Sequence, residues 1–207
     1  MLSMISTTLL SISALVPMTG MAGTAPPDHI TIEVVTVNGS GCPAGTALVE
    51  PAPDNRTFMV DYSAFLAQTG AGSRPTDFRK NCQISLRVNH PEGVTYGITQ
   101  TDFRGFTHLE TGSTGNQLAL YYFQGMSART KSSHSFSGPF SDNWQTVDKP
   151  NAGDVVYSPC GKKRNLNINA ELRVNAGNSN PTTTSFMSMA STRGNLRAQY
   201  NLKWKPC

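Results

Sequence analysis

The part of the chain richest in groups suited to chemistry lies within residues 121–144. It contains Tyr121-Tyr122-Phe123-Gln124-Gly125 and then Phe136-Ser137-Gly138-Pro139-Phe140-Ser141-Asp142-Asn143-Trp144. Aromatic rings beside Asp and Asn in a Gly/Pro loop suit carbohydrate, because a ring stacks on the apolar face of a pyranose while the polar groups take its hydroxyls. Tyr122, Phe140, Asp142, Asn143 and Trp144 are therefore the candidate binding residues. A plainer reading competes. Alternation puts Tyr121 and Phe123 in a core, with Phe140 and Trp144 capping the end of a sandwich.

Catalysis finds less support. Acid/base hydrolysis of a sugar or ester needs two carboxylates facing one substrate, roughly 5 to 10 Å apart. Asp61, Asp102, Glu110, Asp142, Asp148, Asp154 and Glu171 offer the groups but no recognisable motif, and no Gly-x-Ser-x-Gly elbow is present. His29, His90, His108 and His134 show no pair at three- or four-residue spacing, so no metal site is expected. No cofactor motif occurs. Gly161-Lys162-Lys163-Arg164, following Cys160, is either a solvated turn or a dibasic processing site.

The four cysteines, Cys42, Cys82, Cys160 and Cys207, include no Cys-x-x-Cys pair. An even count beside a secretory leader favours two disulfides over a metal site, and four cysteines allow three pairings. Cys42 with Cys82 and Cys160 with Cys207 is the favoured set, since each bridge then links sequence-near segments. Sequons at Asn38 and Asn55 lie in expected turns and are candidate glycosylation sites, whereas Asn180 is excluded by Pro181.

The supporting frame is set by length and composition. The chain has 207 residues, enough for one all-β domain with a core, and only 14% are charged. A surface of neutral Ser, Thr, Asn and Gly is more familiar outside cells than inside. A formal charge of +4, spread along the sequence, is too mild to argue for nucleic acid. Residues 1–22 hold no charged side chain and centre on an apolar run over residues 9–16, which Pro17 breaks. This reads as a signal peptide cleaved after Ala22, too short to span a bilayer as a helix of roughly 20 residues. The expected product is secreted and extracellular with no membrane span.

Residues 74–93 are the stretch around which the rest of the chain is organised. Pro75, Thr76 and Asp77 signal a turn; Cys82, Ile84, Leu86 and Val88 then alternate with Gln83, Ser85 and Arg87, as in a strand with one face in a core. Further strands are expected over residues 30–37, 47–49, 57–65, 94–99, 103–109, 117–123, 155–157, 166–174, 185–189 and 196–204. About eleven short strands between turn clusters predict an antiparallel β-sandwich of jelly-roll-like kind. The expected plan is an extended linker over 23–29 and one domain over 30–207. Leu86-Arg87-Val88-Asn89 recurs as Leu172-Arg173-Val174-Asn175, which reads as two similar strands.

Gly41-Cys42-Pro43, Asn81-Cys82-Gln83, the flanking Pro75-Thr76-Asp77-Phe78-Arg79-Lys80, Tyr122-Phe123-Gln124-Gly125, Phe136-Ser137-Gly138-Pro139 and Arg164-Asn165-Leu166-Asn167-Ile168-Asn169 fall in order along nearly all of the mature chain. Together they resemble a secreted family of fungi and actinobacteria known as a domain of unknown function. The resemblance implies a secreted, disulfide-bonded, β-rich domain and carries over no catalytic residues. The residues favour a secreted, non-enzymatic β-sandwich that binds cell-wall or extracellular glycan, or a surface partner protein. The alternatives are a small glycan hydrolase and an effector exported against a host or competitor.

Overall fold

A computed structural model describes residues 26–189 and 197–207; the expected leader 1–22, linker residues 23–25 and the start of the last expected strand lie outside them. Twelve strands are described: β1 (Thr31–Asn38), β2 (Ala47–Pro51), β3 (Thr57–Tyr62), β4 (Leu66–Gly70), β5 (Arg79–Asn89), β6 (Val94–Leu109), β7 (Thr114–Phe123), β8 (Arg129–Ser137), β9 (Phe140–Asp148), β10 (Leu166–Asn175), β11 (Thr184–Ser188) and β12 (Arg197–Pro206). The described residues contain no α-helix.

Two antiparallel sheets form a sandwich. The first runs β1-β5-β10-β7-β8. The second is built on β6, whose residues 94–103 pair with β12 and residues 106–108 with β11. Because β9 pairs with β6 over residues 101–109, overlapping both, β12 and β11 share one edge of β6 and β9 holds the other. β3 and β2 extend the sheet beyond β12, and β4 extends it beyond β11.

The alternation in the sequence is what buries the core. Cys82, Ile84, Leu86 and Val88 of β5 and Leu166, Ile168, Ala170, Leu172 and Val174 of β10 point inward, all at most 7% exposed. They meet Phe58, Val60, Phe103, Ala198 and Tyr200 of the second sheet within one buried cluster. Phe58 and Tyr200 stack across β3 and β12, with centroids 4.8 Å apart and planes within 7°. At about 25 cal/mol per Å2 of apolar surface removed from water, this cluster is the main source of stability.

Both bridges join the favoured pairs, Cys42–Cys82 and Cys160–Cys207. The first is buried and fixes the chain after β1 to β5; the second ties Cys207 to Cys160, and Cys207 N also donates to Gly93 O at 2.9 Å just before β6. In the chain-entropy picture each loop, closing over 40 and 47 residues, contributes about 4 kcal/mol. The turn before β5 is closed by Asp77, whose Oδ2 accepts from Arg74 N at 3.0 Å while Oδ1 takes Lys80 Nζ at 2.7 Å.

Several expected boundaries are corrected. The strands over 94–99 and 103–109 are one strand, β6, carried through the polar Gln100-Thr101-Asp102 by a register shift at Asn201/Leu202. Residues 57–65 form only β3, after which β4 begins a new pairing with β11. Residues 155–157 make a single bridge, Tyr157 to Gly97, rather than a strand. The Gly/Pro loop is a corner. Gly138-Pro139 is a cis peptide joining β8 in the first sheet to β9 in the second, so most of residues 129–148 are strand.

Candidate functional site

The corner separates the residues expected to act together. Trp144 is 4% exposed and packs on Phe136 at 5.5 Å between centroids, opposite Gly105 in the β6/β9 ladder. Its indole belongs to the core and presents no face to a ligand. Phe140 is half-buried against the same cluster, 6.2 Å from Phe136. Tyr122 comes after the inward Tyr121 on β7 and therefore faces out from the other sheet. Asp142 and Asn143 are exposed, and only Asn143 stands opposite an outward ring, Phe106.

That ring is part of a group not apparent from local sequence. On β6 the inward residues are Phe103, Gly105, Thr107 and Leu109, which leaves Asp102, Arg104, Phe106 and His108 on the outer face. β11 buries Ser185 and Met187 and so turns Phe186 outward, directly across from His108. Phe186 lies 5.9 Å from Phe106 and 5.8 Å from His108 between centroids, with tilts of 32° and 33°. All three are half-buried, one side against a neighbour.

Polar groups border the rings on β9, where Ser141, Asn143 and Gln145 face outward opposite His108, Phe106 and Arg104. Asp102 receives Gln145 Nε2 at 2.6 Å and both Arg104 Nε and Nη2 at 3.2 Å, which keeps amide and guanidinium spread over the face. His108 Nδ1 is 3.1 Å from Ser141 Oγ and its Nε2 is 3.1 Å from Glu110 Oε1. Serine, imidazole and carboxylate in that order resemble a nucleophilic relay. Ser141 lies on β9, His108 on β6 and Glu110 just past the end of β6, and the two contacts orient the imidazole beside Phe186. Fixed rings flanked by amide, hydroxyl and guanidinium groups can stack on a sugar and take its hydroxyls.

The other candidates are distributed. Asp61 pairs with Arg197 at 3.4 Å, and Glu171 receives Arg79 Nε at 2.8 Å and lies 3.2 Å from Arg173. Asp148 and Asp154 line one cleft beside β8, of about 470 Å3. Among the described residues no three His, Cys, Asp or Glu gather as metal ligands, and no helix is long and apolar enough to cross a membrane. Asn38 is exposed at the end of β1; Asn55, at φ 54°, spends its Nδ2 on Pro27 O at 3.4 Å and its O on Trp204 Nε1 at 2.8 Å. Lys162 and Lys163 are exposed in a turn beside the second bridge.

Fold and cysteines thus define a disulfide-bridged, all-β sandwich. The chain belongs to the family described as domain of unknown function DUF4360, whose model matches residues 28–207. It is 32% identical over 186 residues to a protein of Arthroderma benhamiae called "Uncharacterized secreted protein", covering 89% of this chain and 75% of that one. The protein is secreted, like this relative. Among solved structures it is similar to the enzymatically active domain of the bacteriophage CBA120 tailspike protein 4, at 13% identity and a TM-score of 0.25, covering 87% of this chain and 20% of that chain.

Proposed function

We propose that this secreted protein acts by binding, and that it holds a cell-wall or extracellular polysaccharide on the outer face of the β6/β9/β11 sheet without cleaving it. The observation carrying this reading is that Phe106, His108 and Phe186 share that face, with Asn143 and Gln145 alongside. Stacking on a sugar supplies apolar contact that salt does not screen. Hydroxyls of successive residues then pair with the amides, Ser141 and Arg104, which sets orientation.

The test is sedimentation of the oxidised protein with insoluble β-glucan, chitin, cellulose and peptidoglycan, at low salt and at about 0.5 M, where exposed charges are strongly screened. Retention that survives salt supports the reading. Retention lost in salt reduces the contact to the chain's +4 charge and contradicts it. A hydrolytic reading has two observations in its favour, the Ser141, His108 and Glu110 order on the same face and the presence of Asp148 and Asp154 in one cleft. Soluble products from one of these polymers, abolished by Asp154→Asn, would replace binding with hydrolysis.

A further inference from the structure

The fold gathers charge that the sequence scatters. Alternation on the first sheet turns Glu33 of β1, Arg79 and Arg87 of β5, Glu171 and Arg173 of β10, and Arg129 and Lys131 of β8 to its outer face. The carboxylates there are already shared. Arg79 and Arg173 both hold Glu171, the second at 3.2 Å, and Arg87 Nη1 lies 3.7 Å from Glu33. Arg129 and Lys131 are exposed and have no carboxylate partner among the described residues. They stand at alternate positions of the edge strand β8, about 7 Å apart along it.

What lies beside these cations suits sugar. The register sets Tyr122 of β7 directly opposite Arg129, Asn167 of β10 opposite Tyr122, and Ser85 of β5 opposite Asn167. In the next outward row Lys131 faces Leu120, with Asn169 and then Gln83 beyond it. Each row crosses four strands, about 14 Å at the usual strand spacing. Tyr122, Asn167 and Gln83 are half-buried, and none of their side-chain oxygens or nitrogens is among those sealed from water. The phenol ring can therefore stack on a pyranose while its hydroxyl and the two amides take sugar hydroxyls.

We propose that the outer face of the first sheet binds an acidic polysaccharide of the polyuronate class, with its carboxylates on Arg129 and Lys131 and its sugar rings and hydroxyls on Tyr122, Asn167 and Gln83. A guanidinium takes a carboxylate through two parallel hydrogen bonds, and the ammonium adds a second charge-assisted contact. A neutral glucan leaves both cations unused. Polyphosphate meets the cations but leaves the ring and the amides empty. This surface is distinct from the Phe106 and Phe186 platform, which lies on the other sheet.

The test is calorimetric titration of the oxidised protein at low salt with soluble polygalacturonate, its fully methyl-esterified form and polyphosphate. Esterification removes the charge and keeps the sugar, whereas polyphosphate keeps charge without sugar. The expected result is saturable binding of polygalacturonate, with both controls weaker by about tenfold or more. Arg129→Gln/Lys131→Gln is expected to lose about tenfold or more in affinity. Both side chains are exposed, so the variant is expected to fold; should it not, Lys131→Gln alone takes its place with a loss of about threefold or more. Lys162→Gln/Lys163→Gln removes the same charge from the exposed turn beside the second bridge and is expected to stay within about twofold of wild type. The variants change only the first sheet and this turn, so failure here and failure of the reading on the other sheet are separate results. Absence of saturable polygalacturonate binding, either control polymer bound as tightly, wild-type affinity in the folded Arg129 and Lys131 variant, or an equal loss in the Lys162 and Lys163 variant overturns the proposal.

Discussion

Gly105 stands directly across the β6/β9 ladder from Trp144, and a Cβ on it would fall within the indole's Cζ2 and Cε2 and against Ser188 O. The neighbouring residue Phe106 faces the opposite side, toward solvent. One glycine thus seats the core tryptophan immediately under the proposed platform. Gly105→Ala is expected to overpack this point and destabilise by about 1–3 kcal/mol, read from the midpoint of a urea melt. A midpoint equal to wild type would show that the indole yields without cost.

Asp77 supplies an acid-sensitive contribution. Its hydrogen bond from Lys80, then the one from Arg74 N, hold its carboxyl below the ordinary carboxylate value. A depressed folded value stabilises above the unfolded pKa of about 3.9 and is lost as pH falls through the folded one. Asp77→Asn is expected to lower the urea midpoint at pH 7 and to narrow its gap from wild type at pH 3. An equal gap at both values would contradict the assignment.

Alkali is expected to act through the tyrosines. Burial pushes Tyr121 up to about 12 and raises Tyr62, Tyr96 and Tyr200 further. A raised folded value gives stability that is complete below the unfolded pKa, about 10, and lost as pH climbs toward the folded ones. Absorbance titration of the native protein should leave four of its six tyrosines protonated after the unfolded protein has ionised. Full ionisation near pH 10 with the fold intact would refute this.

The bridges differ in access. Cys42 and Cys82 are buried, at 0% and 1% exposure, while Cys160 and Cys207 are exposed. Mild reduction and then alkylation and peptide mass mapping should label Cys160 and Cys207 first, with the buried pair labelled only on unfolding. Early labelling of Cys82 would place that bridge outside the core.

The sequence made much of this fold legible. Strict alternation over Cys82–Val88 and the apolar residues of β10 announced the central strands of the first sheet. β8 stayed hidden because its inward row, Thr130, Ser132, His134 and Phe136, is polar except for its last member and so shows no alternation of hydrophobicity. Trp144 looked like a loop ring because Gly138-Pro139 signals a turn, and the corner ends a residue before β9 starts. Phe106 lay within an expected strand, but its partner Phe186 arrives on β11, and only the β6/β11 register brings the two rings together. Such long-range pairing has no local signature.

The most direct measurement is sedimentation of wild type and the Phe106→Ala/Phe186→Ala double variant with the polymer that retains the wild type at about 0.5 M salt. Both side chains face outward, so the variant is expected to fold, with wild-type near-ultraviolet circular dichroism from the buried Trp144 and Trp204. Loss of about tenfold or more in affinity by the folded variant is the predicted result. Retention equal to wild type would contradict the sheet-face account.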